Sequence, residues 1–366
     1  MNPRWSDPQT VGVLREIKTD ERRVALTPEG ARRLVADGRA VVIETGAGLG
    51  SGHEDDEYRD AGASIVSGPG AVTDAATLLV HVKEPQPSEF ALLRPDHTLF
   101  TYLHLAAAPE LVSALRAARC RAIAYESVEV DGHFPLLAPM SAIAGRLATQ
   151  NAASFLEARH GGRGVLLGGV PGAEPSTVIV VGAGVVGSHA AEVAVGVGAE
   201  VVIVDLDLRR AEAVAQRLGA RAVQSQAGVL EDLAPTAEVM IGAVLAPGHR
   251  APTVITRKVL DLMPEGSVVI DIAIDQGGCV EGVVATSHSD PVRSMGRVRV
   301  AATPNMPAAV PRTSTAALCA ATLPYIRALA GGWDRATSQH PELAGAVNIQ
   351  DGRIVLPALL QEYGEP

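Results

Sequence analysis

The chain has few aromatic residues, few cysteines and no excess of positive charge, and each shortage excludes a class of protein. Aromatic residues make up 3% of its 366 residues, so the core must be built from aliphatic side chains, as parallel sheets prefer. The net charge of −10 argues against nucleic acid and anionic membranes as partners.

The spacing of the cysteines and the lengths of the apolar runs exclude further classes. Cys120, Cys279 and Cys319 form no C-x-x-C pair, so neither a disulfide framework nor a zinc site is predicted, and we expect no metal. No apolar run reaches the roughly 18 residues of a membrane span, and the first residues lack the apolar core of a signal peptide. We therefore predict a soluble, cytoplasmic protein, and its length predicts two domains.

The strongest motif lies between residues 177 and 207. A strand-like run ends at Val181, and the G-x-G-x-x-G pattern Gly182-Ala183-Gly184-Val185-Val186-Gly187 follows, with an apolar helical stripe after it. In such a turn the glycines permit the bend, the approach of a pyrophosphate and close packing of helix on strand. A second strand ends at Asp205, 23 positions after Gly182, where an acid would bind the ribose and repel a 2′-phosphate. The motif predicts a site for NAD rather than NADP.

Strand-like and helix-like segments alternate along the chain, which predicts an α/β fold with parallel sheets. The other expected strands are Val11–Leu14, Ala40–Glu44, Leu78–Val82, Thr98–Tyr102, Arg121–Tyr125, Val239–Ala243, Ser267–Ile272 and Val298–Ala301. The expected helices include one from Thr27 to about Ala36, one from Pro109, one from Ala142 to about His160 that bridges two domains, and one after Thr315 that is interrupted at Pro324. We expect a connector or hairpin at residues 161–175, and mixed helix and turn from residue 340 onward.

Four polar residues follow predicted strands, where ligands of open α/β sheets bind. Arg23 suits a carboxylate, Lys83 a carbonyl oxygen, and His104 proton transfer near neutral pH. Asp275 ends an apolar run and precedes two glycines, which favours a catalytic or ribose-binding role. The alternative is that the three basic groups are unrelated surface residues and that Asp275 starts a turn.

Several segments together give the sequence a resemblance to alanine dehydrogenase, in the wider family that includes the nucleotide-binding subunit of pyridine nucleotide transhydrogenase. They are, in order, REIKTDERRVALTP, HVKEP, LFTYLHLAA, LLAPMSAIAGRLATQ, GGVPGAEP, VGAGVVG, IGAVLAPG, VVIDIAIDQGGC and TPNMPAAVPRTST. The resemblance extends from about Val11 to Trp333.

The resemblance implies a role for each of these polar residues. Arg23 would pair with the substrate carboxylate, Lys83 with its carbonyl or imine, His104 would be the acid and base, and Asp275 would position water or ammonia. The positions expected to contact NAD are Ser141, Gly182, Gly184, Val185, Gly187, Asp205, Arg210, Val244, Leu245, Ile272, Asn305 and Met306.

The resemblance also implies an architecture. It predicts two Rossmann-like domains with doubly wound, mainly parallel sheets, joined by long helices with the active-site cleft between them. Residues 1–137 with 308–366 would form the substrate domain and residues 138–307 the NAD-binding domain. The assembly would be a homo-hexamer.

The implied reaction is the reversible, NAD-dependent oxidative deamination of L-alanine to pyruvate and ammonia. Three alternatives stay open: the same chemistry on another small amino acid or 2-oxo acid, a soluble transhydrogenase-like subunit, and a non-catalytic NAD sensor. The sequence departs from the family at His81, where lysine is familiar, and this departure bears on substrate preference.

Overall fold

The chain forms two compact units in the computed structural model, which describes residues 5–244 and 250–364. The first unit consists of Met1–Met140 and Val310–Pro366, and the second of Ser141–Ala309. The first unit is therefore built from both ends of the chain, and the second from one continuous segment.

The strands of the described residues alternate with helices along most of the chain. In chain order the strands are β1 (Val11–Val13), β2 (Val41–Glu44), β3 (Ser64–Val66), β4 (Leu78–Val80), β5 (Thr98–Thr101), β6 (Arg121–Ala124), β7 (Thr177–Val181), β8 (Glu200–Asp205), β9 (Arg221–Gln224), β10 (Ala237–Gly242), β11 (Val268–Asp271), β12 (Arg293–Met295), β13 (Val298–Ala301), β14 (Val347–Gln350) and β15 (Arg353–Ile354).

The helices include the predicted one after Thr27, whose hydroxyl accepts the backbone N–H of Gly30 at 3.2 Å and so caps it. In chain order they are α1 (Pro28–Ala36), α2 (Asp55–Asp60), α3 (Pro69–Ala75), α4 (Pro109–Ala118), α5 (Ala138–Phe155), α6 (Val185–Gly196), α7 (Leu208–Leu218), α8 (Val229–Leu233), α9 (Arg257–Leu262), α10 (Pro311–Ala330), α11 (Trp333–Gln339), α12 (Glu342–Gly345) and α13 (Pro357–Tyr363). None of these helices has the length and apolar content needed to span a bilayer.

Both sheets have the same core topology. In the first unit six parallel strands lie in the order β3-β2-β1-β4-β5-β6, and in the second six lie in the order β9-β8-β7-β10-β11-β13. In each sheet successive strands are added first on one side of the first strand and then on the other. The strand order therefore reverses between β1 and β4 in the first unit, and between β7 and β10 in the second. Ligands of such sheets bind beyond the carboxyl ends of the strands at these switch points. The predicted α/β class with two mainly parallel sheets is confirmed.

The cores of both units are aliphatic, as the composition predicts. In the second unit Ile179, Val202, Met240, Val269 and Val300 belong to one buried cluster. Most strand residues in both sheets are buried, and this suits sheets covered by helices on both faces.

The C-terminal tail differs from the prediction of mixed helix and turn. It contributes β14, which pairs antiparallel with β6, and β15, which pairs antiparallel with β14. Val347 and Ile349 become buried in this pairing. Packing against an existing sheet edge therefore decides their conformation, which local sequence does not reveal.

Two predicted helices have different bounds. Helix α10 continues through Pro324, because buried residues on both sides, such as Leu318 and Ile326, hold it against the first unit. Helix α5 begins at Ala138 and ends at Phe155 instead of about His160. Gly161 follows in the left-handed region with a φ of 72°, which ends any helical continuation.

Aromatic residues are few, but two of them fix the tail to the sheet. The guanidinium of Arg121 on β6 lies between the rings of Trp5 and Trp333, 4.1 and 3.8 Å from their centroids. Its Nε donates to Gln350 on β14 at 3.0 Å. These contacts join both ends of the chain to one strand of the first unit.

Candidate active site

The G-x-G-x-x-G turn lies at the switch point of the second unit, directly after β7. Gly182 has a φ of 110°, and an added Cβ would lie 2.4 Å from the carbonyl oxygen of Ala243. A Cβ on Gly187 would lie 1.7 Å from the carbonyl oxygen of Gly182. Gly184 differs, because a Cβ there would meet nothing within 4 Å. Two glycines are thus required by the turn itself, while the third leaves open space at the start of α6.

Asp205 holds this turn in place. Its carboxylate accepts the backbone N–H groups of Ala183 at 2.6 Å and Asp207 at 2.8 Å, one on each oxygen. It is partly exposed at the end of β8, and each oxygen keeps a further lone pair. An open space at a helix N-terminus beside a half-exposed carboxylate suits a pyrophosphate and a ribose. The residues present therefore fit a dinucleotide.

A buried acid that the sequence did not single out organises the loop after β11. Asp271 accepts backbone N–H groups from Ala273 at 3.0 Å, Cys279 at 2.8 Å and Val280 at 3.0 Å. Burial raises its pKa, against the lowering effect of these hydrogen bonds. These hydrogen bonds hold the loop after β11, which contains Ile272 and Asp275, in one conformation.

Asp275 and Asn305 lie together. The backbone N–H of Asn305 points at both carboxylate oxygens of Asp275, each at 3.1 Å. Asp275 is exposed, and Asn305 adopts a φ of 53°, in a region that most side chains avoid. The structure therefore joins two predicted site residues from separate loops.

The remaining predicted cofactor contacts of the second unit lie on several elements. Ser141 is partly buried in α5, Val185 is 46% exposed at the start of α6, and Arg210 is exposed in the first turn of α7. Val244 follows β10, Ile272 follows β11, and Met306 is buried after β13. Leu245 falls outside the described residues.

Arg23 lies in the first unit, in the loop after β1, and is 2% exposed. Its Nε donates to Glu21 at 2.7 Å and its Nη2 to the other oxygen at 2.5 Å, a bidentate pair. Burial works against the charge of Arg23, but the hydrogen bonds and charge of Glu21 outweigh it and raise its pKa. Arg23 is a buried, oriented cation and not an unrelated surface residue.

Lys83 lies at the neighbouring switch-point strand, after β4, and is 7% exposed. Glu16, from the loop after β1, accepts the backbone N–H groups of Val82 at 2.6 Å and Lys83 at 3.3 Å. The same carboxylate contacts Nδ1 of His81 at 3.0 Å. One acid therefore connects the loops that carry Arg23 and Lys83.

His81 is the departure noted in the sequence, and it is buried among acids. Its Nε2 is 3.8 Å from Glu89, opposite the contact with Glu16. Burial alone would lower the pKa of His81, but the charges of Glu16, Glu89 and Glu44 raise it above its ordinary value. The acids around His81 therefore favour its protonated form.

His104 ends the segment after β5 and adopts the left-handed conformation, with a φ of 47°. Its ring stacks on Tyr102, with centroids 5.9 Å apart, and its backbone N–H donates to Glu126 at 2.6 Å. Crowding by surrounding protein, together with the positive charges of Lys83, Lys18 and Arg23, lowers the pKa of His104 to about 3, although 43% of its side chain is exposed. The imidazole is neutral near pH 7.

The structure brings Arg23, Lys83 and His104 close enough for the two cations to act on the imidazole. The sequence interpretation missed their supporting acids, Glu21, Glu16 and Glu126. Glu126 directly follows the predicted strand Arg121–Tyr125, so the same reasoning that indicated Lys83 and His104 applies to it. Glu16 and Glu21 lie in a loop dense with charges, where nothing local separates a buried acid from a solvated one.

Comparisons with known proteins identify the family of the chain. The family model described as "Alanine dehydrogenase/PNT, N-terminal domain" matches residues 12–144, and its C-terminal counterpart matches residues 148–357. An alanine dehydrogenase of Halomonas elongata is 45% identical over 97% of this chain and 96% of its own length.

Two solved structures share the whole fold. An L-alanine dehydrogenase superposes with a TM-score of 0.91 at 46% identity, and covers 97% of this chain and 99% of its own. A transhydrogenase from Sinorhizobium meliloti superposes with a TM-score of 0.81 at 27% identity, and covers 95% of this chain and 99% of its own. Together with the two family models, these matches show that the chain belongs to the alanine dehydrogenase/PNT family.

Proposed function

We propose that the chain is an alanine dehydrogenase that converts L-alanine, NAD⁺ and water reversibly into pyruvate, ammonium, NADH and a proton. The observation that carries this proposal is family membership over nearly the whole chain, together with Arg23, Lys83 and His104 in one cluster. A transhydrogenase subunit or a sensor has no need of such a cluster.

In this proposal the second unit holds the cofactor. The pyrophosphate would bind in the open space at Gly184 and the start of α6, and Asp205 would accept hydrogen bonds from the adenosine ribose. The carboxylate of Asp205 would repel a 2′-phosphate, so NAD would be preferred to NADP. The nicotinamide would supply a hydride acceptor, and Ile272, Asp275 and Asn305 are the loop residues proposed to contact the cofactor.

The first unit holds the substrate. Arg23, oriented by Glu21, binds the carboxylate, and Lys83 binds the carbonyl or imine group of the reacting carbon. Hydride leaves Cα of alanine as the amine loses a proton, which gives an imine of pyruvate. Water adds to this imine, and ammonia leaves to give pyruvate. The substrate carboxylate would offset the positive charges of Arg23 and Lys83 and so raise the pKa of His104, whose imidazole then accepts a proton from the amine or from the added water, and Asp275 positions the water.

A substrate screen tests the proposal. Ammonia-dependent oxidation of NADH is measured with pyruvate, glyoxylate and 2-oxobutyrate, and each assay is repeated with NADPH. We expect the highest kcat/KM with pyruvate and NADH. Faster turnover of glyoxylate or 2-oxobutyrate would assign the same chemistry to another substrate, and the absence of any ammonia-dependent oxidation would reject an amino-acid dehydrogenase.

The family resemblance also motivates a homo-hexamer in the cytoplasm. Size-exclusion chromatography with light scattering measures the molar mass in solution. A hexamer of the 37.8 kDa chain is the expected species. A monomer or dimer at assay concentration would contradict this part of the proposal without affecting the chemistry.

A further inference from the structure

We propose that the second unit carries an anion site, separate from the glycine turn, that binds the phosphate group of a small molecule. The site is a solvent-open cavity of about 660 Å³ lined by Arg163, Arg297 and Arg299. We call it the arginine pocket. Its remaining walls are largely glycine backbone, and Glu265 is the acid in its lining.

The charges of the arginine pocket are poorly balanced. Arg163 has a carboxylate oxygen of Glu238 at 3.9 Å from its Nε. Arg297 donates to the carbonyl oxygen of Asp261 at 3.5 Å, and among the described residues neither it nor Arg299 has a carboxylate within 4.0 Å. Three cations around one cavity repel each other, in a protein whose net charge is −10. Glu265 in the lining, Glu238 beside Arg163, and Asp261, whose carboxylate lies 3.8 Å from the position of a Cβ on Gly296, offset part of this repulsion, and a bound anion would offset the rest.

Arg299 also has unused hydrogen-bonding capacity. Its Nη1 donates to Ser294 Oγ at 2.5 Å and its Nη2 to the carbonyl oxygen of Val292 at 3.5 Å. Its Nε is buried and has no partner among the described residues. A guanidinium carries five N–H groups, so the protein leaves part of this donor set unsatisfied. The Nε has no contact with solvent, so an anion in the cavity would bind the remaining Nη hydrogens of Arg299.

The arrangement of the arginines favours phosphate over carboxylate. The side chains come from two chain segments, around residue 163 and around residues 297–299, and converge on one cavity. A carboxylate has two oxygens in one plane and satisfies one guanidinium fork well. A phosphate group presents three oxygens and more charge, and so can engage several guanidinium groups at once.

The arginine pocket lies at the opposite end of the sheet from the glycine turn. Gly266 and Arg297 precede β11 and β13, and Arg299 is the second residue of β13. The pocket is therefore at the amino ends of parallel strands, whereas the glycine turn follows the carboxyl end of β7. A strand of four or five residues spans roughly 13–17 Å, so one small ligand cannot occupy both sites.

The test is calorimetric titration of the full-length protein with inorganic pyrophosphate at constant ionic strength, with saturating NADH to fill the glycine turn. Arg299→Gln and Arg297→Gln remove one charge each from the pocket. Arg217→Gln removes one charge from an exposed position on α7 and is the matched control. We expect saturable binding, weakened about tenfold or more by either pocket substitution and unchanged by the control.

Arg297 is largely exposed, so its variant keeps the proposal testable if Arg299→Gln does not fold. Equal binding by all three variants, no saturable binding, or equally tight binding of succinate would overturn the proposal. Alanine dehydrogenase activity is measured separately on the same variants. Because the pocket substitutions leave the glycine turn intact, loss of the pyrophosphate signal with normal NADH turnover separates this inference from the proposed function.

Discussion

At the scale of single residues, each of the three basic site residues of the first unit, Arg23, Lys83 and His104, is held by an acid. Glu21 binds Arg23 directly, Glu16 binds the backbone at Lys83, and Glu126 binds the backbone at His104. These acids set the direction of each cation or ring before any substrate arrives. Preorganisation of this kind reduces the entropy lost when the substrate is positioned.

Arg23→Lys keeps the charge but removes the planar fork that matches a carboxylate. We expect KM for pyruvate to rise by about tenfold or more, while the affinity for NADH is unchanged, because the cofactor residues belong to the other unit. Steady-state kinetics and NADH fluorescence titration measure the two quantities. Arg23→Ala is a poorer test, since it would leave Glu21 buried without its cation, at a cost of about 3–5 kcal/mol of stability. An equal loss of pyruvate and NADH affinity would contradict the assigned role.

Two histidines of the first unit have pKa values shifted in opposite directions. Acids surround His81 and raise its pKa, whereas cations and crowding lower that of His104 to about 3. NMR titration should show His81 with a pKa above its ordinary value and His104 neutral down to about pH 3, with His81→Gln and His104→Gln used for assignment. Lys83→Met should raise the pKa of His104, and Lys258→Met, which changes an exposed lysine of α9, should not. Titration of both rings near 6.5 would contradict this.

At the scale of elements, the glycine motif meets two requirements, the packing of the turn and the space for a ligand. The sequence pattern alone does not show which glycine serves which requirement. Gly182 and Gly187 are needed because of atoms in the turn itself, and Gly184 faces open space. The pattern was recognised from sequence because all of its parts are local. The roles of its members became distinguishable only when neighbouring backbone, such as the carbonyl of Ala243 on another strand, was placed.

Three single substitutions separate these requirements. Gly187→Ala should destabilise the protein by several kcal/mol, because the new methyl group meets a carbonyl oxygen at 1.7 Å. Gly184→Ala should keep the stability of the parent and weaken NADH binding about tenfold or more. Gly196→Ala, near the end of the same helix with nothing within 4 Å of the new group, is the control for both. Denaturant unfolding and NADH titration are the measurements, and normal NADH binding by Gly184→Ala would reject the cofactor assignment.

The strands that the sequence did not predict are of two kinds: short strands β3, β9 and β12, which pair with a neighbour close in the chain, and β14 with β15, whose place depends on a distant partner. Strands β7, β8, β10, β11 and β13 were predicted from continuous apolar runs. Strand β14 was missed because its conformation depends on pairing with β6, more than 200 residues earlier. The role of Glu16 was missed for the same reason, because the residues that it contacts lie 65 to 67 positions away in the sequence. Local sequence patterns therefore predict the strands and where they end. They do not predict which acidic side chains of one loop will bind residues of another loop.

At the scale of the whole molecule, the two units differ in how the chain forms them. Residues 141–309 are continuous and include a complete six-stranded parallel core. The first unit needs α10, β14 and β15 from the far end of the chain. Thr315 on α10 accepts the backbone N–H of Val24 at 3.1 Å, and Trp333 covers Arg121.

A fragment of residues 141–309 should therefore fold and bind NADH, whereas a fragment of residues 1–140 should not fold cooperatively. Joining residues 1–140 to 310–366 through a flexible linker should restore a folded unit, because it returns the buried partners of β6. Circular dichroism with thermal unfolding distinguishes these outcomes. Cooperative unfolding of residues 1–140 alone would show that the C-terminal segment is dispensable.

The construction of the first unit from both chain ends also sets an order for folding during synthesis. The nascent N-terminal segment, which ends at Met140, is complete about 200 residues before β14 is made. At roughly 5–20 residues per second this leaves an interval of about 10–40 s in which β6 has no partner on its outer edge. The continuous unit can complete its sheet within that interval. The N-terminal segment thus passes through a period as an unfinished sheet, open to chaperones and to edge-to-edge association, and this period ends when the tail arrives.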